Sequence, residues 1–195
     1  MSLRRRIARS RRGGYDLRLP AGERALLAAL PGQLEHLLGE LGGEGEAPPE
    51  ALRRLFPVAY TRDELAEATY EAVARGELIE HHREALAVLA RTSGADHLDE
   101  EQAASWLAAL NDLRLVLGTS LGVTEEAVAP DESDPAFSDW VYYGYLSYLQ
   151  GELVDALEGA LPPPVPGADD EVPEDPWGEP PGDLRWDGTQ RPAGP

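Results

Sequence analysis

Between Ser105 and Val123 the apolar positions Trp106, Leu110, Leu113, Leu117 and Leu121 recur at spacings of four, three, four and four. That period puts them on one helical face, which Ala103, Leu107 and Val116 widen, and predicts a central core helix. Asn111, Asp112 and Arg114 flank the stripe. On a helix this apolar they are expected to tie neighbouring helices together rather than to stand in open water. Asp99, followed by Glu100, Glu101 and Gln102, supplies the N-terminal cap, and Gly118 or Gly122 is the expected stop.

The helical period returns elsewhere in the chain. Leu26, Leu27, Leu30, Leu34, Leu37 and Leu38 predict a helix from Glu23 to Leu41, in which Pro31-Gly32 calls for a kink or a division into two. Pro48-Pro49 opens a short helix through Leu55, and Phe56 to Tyr60 form an apolar connector expected to lie against the core. Thr61 with Glu64 fits a capping box for a helix carrying Leu65, Ala68, Ala72, Ile79, Leu86 and Leu89, with a bend or break allowed at Gly76. Asp134-Pro135 starts a last helix that runs to about Ala160, striped by Leu146, Leu149, Leu153, Leu157 and Leu161. Tyr15 to Leu19 alternate instead, directly after Gly13-Gly14, which predicts a β-hairpin with Tyr15, Leu17 and Leu19 turned inward. The fold class is therefore mainly α: a single-domain bundle of about five helices with a short N-terminal β-hairpin and a disordered C-terminal tail.

Charge divides the chain into the same parts. The net charge of −19 comprises +6 in residues 1–18, −19 in residues 19–161 and −6 in residues 162–195. Residues 1–18 are read as a basic arm and hairpin, 19–161 as the helical domain, and 162–195 as an acidic proline-rich tail. That tail, with ten prolines among its 34 residues, cannot bury enough apolar surface to fold alone. Its Trp177 and Trp186 are weak candidates for anchors. The sequence has no cysteine, which excludes thiolate metal sites, cysteine nucleophiles and thiol switches. No apolar run has signal-peptide or membrane-span length, so a cytoplasmic protein without membrane contact is the expectation.

Candidate chemistry concentrates in two places. Arg4, Arg5, Arg6, Arg9, Arg11 and Arg12 form an edge strand or a loose arm that would contact nucleic-acid phosphate or, equally, dock on the acidic body of the same chain or stay disordered and add solubility. The last helix crowds Phe137, Trp140, Tyr142, Tyr143, Tyr145 and Tyr148 into its first half. Trp140, Tyr142, Tyr143 and Tyr145 are the candidate partner-binding residues, against the simpler expectation that most of these rings are core residues with their hydroxyls at the rim. No histidine has the Glu-x-x-His partner of a carboxylate-bridged metal pair, and Glu77, His81 and Glu84 on one face read as a solvated surface. A zinc-protease motif, a phosphate-binding glycine loop, a dinucleotide fingerprint and a nucleophile elbow are all missing. Neither enzyme nor cofactor is expected.

Three segments carry a resemblance: Leu55 to Tyr60, Leu107 to Gly122 with its Asn-Asp-Leu-Arg-Leu core followed by Leu-Gly-Thr, and Tyr145 to Leu157. In these the chain resembles the actinobacterial domain-of-unknown-function family DUF2017, associated with transcriptional regulators of the oxidative-stress response. The resemblance runs from about Tyr15 to Leu161 and implies a mainly helical, cytoplasmic regulator acting through DNA or the transcription machinery. The alternative is a protein-binding adaptor without nucleic-acid contact. A cysteine-free chain whose only methionine is Met1 cannot sense oxidation through sulfur, so any signal must arrive through a partner, a ligand or the protein's abundance.

Overall fold

Trp106 is wholly buried, and the helix that carries it is the one the rest of the molecule packs on. The computed structural model describes residues 5–41, 48–57, 64–124 and 127–159, with the side chains of 64–73 outside the description. Compact units are Met1–Ala160 and Leu161–Pro195, the second lying outside the described residues together with Trp177 and Trp186. Among the described residues, four α-helices and one short 3-10 turn account for the helices expected from the sequence. They are α1 (Ala21–Gly39), α2 (Glu64–Thr92), α3 (Glu100–Ser120) and α4 (Phe137–Glu158), with the turn at Glu50–Leu52. The segment after Pro48-Pro49 is thus a single tight turn rather than a fifth α-helix.

Helix α3 is flanked by α2 and α4, and α1 packs on α2. Its start is the expected box: the Gln102 N–H donates to Asp99 Oδ1 at 2.8 Å, and the Asp99 N–H donates to Gln102 Oε1 at 3.1 Å. Its end is set by Gly122 at φ +63°, which is not available to Gly118 inside the helix. The Val123 N–H donates to the Gly118 carbonyl at 2.8 Å and the Gly122 N–H to that of Thr119 at 3.1 Å, the two bonds of a Schellman stop.

Neither α1 nor α2 is divided into two. Helix α1 runs through Pro31 unbroken, because the ring lies buried on the same face as Leu27, Leu34 and Leu38 and that burial offsets the missing hydrogen bond. Helix α2 likewise continues past the exposed Gly76, held by Ala85, Leu86, Val88 and Leu89 in the core further along. The Thr61 cap and Val58 to Tyr60 of the apolar connector lie outside the described residues.

The hairpin is one strand larger than the alternation implies. Strands β1 (Ile7–Arg9) and β2 (Tyr15–Leu17) pair antiparallel with Ile7 opposite Leu17, and β3 (His97–Leu98) adds to β2 with Leu98 opposite Tyr15. Tyr15, Leu17 and Leu19 point inward as expected, joined by Ile7 and Leu98, so the sheet belongs to the same core as the helices. Turn residue Gly14, at φ +64°, lies against the Leu98 carbonyl with no room for a Cβ.

Candidate nucleic-acid interface

Strand β1 is not a free arm. One carboxylate oxygen of Glu152 on α4 accepts the backbone N–H groups of both Arg6 and Ile7, the latter at 3.1 Å, and so covers part of the strand's outer edge. Arg6 grips Glu23 on α1 with Nε and Nη2 at 2.9–3.1 Å, and the Tyr145 hydroxyl donates to the same carboxylate at 2.9 Å. Glu23 holds the Arg6 guanidinium above its ordinary pKa, while burial and then Glu23 push the Tyr145 phenol far up. Arg5 reaches Asp155 at 3.4 Å. Arg5 and Arg6 therefore dock on the acidic body, and Arg4 lies outside the described residues.

The remaining arginines of the cluster stand at the other end of the hairpin. Arg9, Arg11, Arg12 and Arg18 line a groove of about 770 Å³ whose acidic members are Asp16 and Asp96. Both acids are engaged. Asp96 takes the Arg24 Nη2 at 2.7 Å, and Asp16 takes the His97 Nδ1 at 3.2 Å, which with Ser10 holds its carboxyl below the usual range. Arg9 comes no nearer than 4.0 Å to Glu100, and Arg11 and Arg12 make no ion pair among the described residues. The result is a cationic tip on a turn held by two backbone bonds, Ser10 N–H to Gly14 at 2.9 Å and Gly13 N–H to Ser10 at 3.3 Å. Arg18 after β2 and His97 in β3 line the same groove and were not candidates from the sequence. Alternation does put Arg18 on the outward face with Asp16, whereas the two-residue β3 has no sequence signal.

The residues flanking the α3 stripe separate. Asp112 accepts from the His82 Nδ1–H at 2.6 Å in a buried pair joining α3 to α2. Asp112 raises the His82 pKa against the effect of burial, with a smaller push from the nearby Leu55 carbonyl. Phe56 meets the imidazole edge-on at 5.8 Å and carries the Arg75 guanidinium on its face at 5.9 Å. The Asn111 Oδ1 accepts from Gln150 Nε2 of α4 at 3.4 Å. Arg114 makes no such tie.

On α4 the fully buried positions are Leu146, Leu149, Leu153 and Ala156, while Phe137, Trp140, Tyr143 and Tyr145 are half-buried. Tyr145 packs partly against the core, Trp140 and Tyr143 meet edge-to-face at 6.1 Å, and Tyr142 is 38% exposed beside Val141 at 50%. Tyr148 also lies out, its hydroxyl on Glu152 at 2.7 Å. Among the described residues no three acidic or histidine side chains converge as a metal site would require, and no helix is long and apolar enough to cross a membrane.

Residues 4–157 match the family described as Domain of unknown function (DUF2017). The chain belongs to that family. It is similar to the AosR protein of Mycobacterium leprae (strain TN), 33% identical over 146 residues, which cover 64% of this chain and 66% of the relative. It is also similar to the oxidative stress regulators AosR of Mycobacterium bovis and Mycobacterium tuberculosis (strain H37Rv), each 30% identical over 149 residues, covering 66% of this chain and 67% of theirs. The chain thus spans about two thirds of the length of these relatives. No solved structure matches it.

Proposed function

We propose that this DUF2017 member is a stress-response regulator of gene expression that touches nucleic-acid phosphate through Arg9, Arg11, Arg12 and Arg18. The stress-response part rests on the relatives named oxidative stress regulators. The phosphate part rests on one observation: a chain of net charge −19 presents, along one groove of the hairpin, a group of guanidinium ions whose neighbouring acids are already engaged. Clustered guanidinium groups bind phosphate by displacing counterions, and the surrounding negative body limits such contact to the tip. Among the described residues no helix presents a cluster of arginines, so the reading is of phosphate contact and not of base recognition.

The test is anisotropy of labelled duplex DNA with the intact protein and the Arg11→Gln/Arg12→Gln variant, both at low and near-physiological salt. Wild-type affinity should fall with salt at a log–log slope of about −3, as three or four phosphate contacts require. The variant should bind more weakly with a shallower slope. Equal binding by the two proteins, or none by either, would refute the reading. In the latter case the exposed Val141 and Tyr142 favour the adaptor alternative. A partner recovered after nuclease treatment and lost in Val141→Asp/Tyr142→Ala would establish it.

A further inference from the structure

Arg114 lies in the Asn-Asp-Leu-Arg-Leu segment, one helical turn before Gly118. Its Nε is buried and has no hydrogen-bond partner, and neither Arg114 nor Arg54 has an ion-pair partner among the described residues. Both line one cavity of about 430 Å³ between the 3-10 turn, the end of α3 and the start of α4. Leu115, Val123 and the Tyr143 ring form its apolar wall, and Thr124 adds a hydroxyl. The ring lies there because residue 118 is glycine: a Cβ would stand 3.0 Å from Tyr143 Cε2.

The polar balance of this cavity is one-sided. The carbonyls at the end of α3 that would repel an anion, those of Gly118 and Thr119, are taken by the Val123 and Gly122 N–H groups. Glu50, in the adjoining groove, faces Arg53 at 3.9 Å. Two guanidinium groups and a hydroxyl thus line a space in which, among the described residues, no carboxylate faces them. A planar fork beside an aromatic wall suits an oxyanion attached to a ring or short apolar body.

We propose that this cavity is a ligand site for a small phosphomonoester, with Arg54 and Arg114 on the phosphate and Tyr143, Leu115 and Val123 against its apolar part. The site would give a cysteine-free regulator a chemical input, and it is independent of the arginines on the hairpin.

The probes are phenyl phosphate, inorganic phosphate and benzoate, titrated by calorimetry into the intact protein, with thermal shifts alongside. Phenyl phosphate should bind one-to-one, more tightly than inorganic phosphate or benzoate. Arg54 is exposed, so Arg54→Ala should fold normally and weaken binding at least tenfold, while Arg11→Gln/Arg12→Gln should leave it unchanged. Tyr143→Ala should remove the advantage of phenyl phosphate over inorganic phosphate. Arg114→Met should leave the unliganded melting temperature equal or higher and abolish the ligand-induced shift. A large fall in melting temperature would instead mark Arg114 as structural and overturn its assignment. Absence of saturable binding at millimolar concentration, binding unaffected by Arg54→Ala, or loss of binding in the hairpin variant would each refute the site. Benzoate binding as tightly as phenyl phosphate would overturn the phosphate assignment.

Discussion

Single atoms decide whether the hairpin closes. At Gly14 a side chain would face both the positive φ and the Leu98 carbonyl, with His97 Nε2 at 2.8 Å. Gly14→Ala should therefore destabilise the protein by about 2 kcal/mol or more and loosen β3, read as a lower melting temperature and faster amide exchange at Leu98. The Gly-Gly signal located the turn, but nothing in the sequence placed His97 and Leu98 beside it. The contrast between Asp112 and Arg114 is also a matter of single side chains. Two residues apart on one helix, one finds an imidazole and the other finds a cavity, because 200° of helical rotation aims them at different neighbours.

Elements are joined by polar contacts set into apolar interfaces. His82 and Asp112 link α2 to α3, and removing one partner leaves the other buried; Asp112→Ala should cost about 3 kcal/mol in denaturant melts, much of it regained in Asp112→Leu/His82→Phe. The same pair makes stability depend on pH. The folded chain holds the His82 proton more tightly than the unfolded chain, whose pKa is near 6.5. The pair's contribution is thus complete below that pH and is lost as pH rises through the raised folded value. A melt series from pH 5 to 9 should show this decline in the wild type and not in Asp112→Leu/His82→Phe, which lacks both titrating groups. The Trp106 indole N–H likewise donates to Thr92 Oγ1 at 2.7 Å, tying the buried ring of α3 to the last turn of α2.

At the scale of the whole molecule, the N-terminus is part of the body. Ile7 is fully buried, β1 hangs on Glu152 and Arg6 on Glu23, so contacts 145 and 17 residues away in sequence hold the strand in place. Removing residues 1–14 should lower stability on the order of 3 kcal/mol, measured by chemical denaturation, through the loss of Ile7, of the Arg6 guanidinium on Glu23 and of the backbone N–H groups on Glu152. Such a truncation would confound any binding assay, whereas Arg11 and Arg12 can be altered on an intact fold.

Hydrophobic periodicity determined by itself the four long helices, the inward face of the hairpin and the Asp99 cap, because each depends on neighbours within a few positions along the chain. Tertiary packing alone decided that α1 passes through Pro31 and α2 through Gly76, since burial elsewhere outweighs a local preference. It also divided the arginines. Arg5 and Arg6 are held by acids on α1 and α4, while Arg9, Arg11, Arg12 and Arg18 stand together beside His97, and Arg54 meets Arg114 across some sixty residues. Which charge is neutralised and which stays open is a property of three-dimensional proximity, and a linear pattern of like residues carries no record of it.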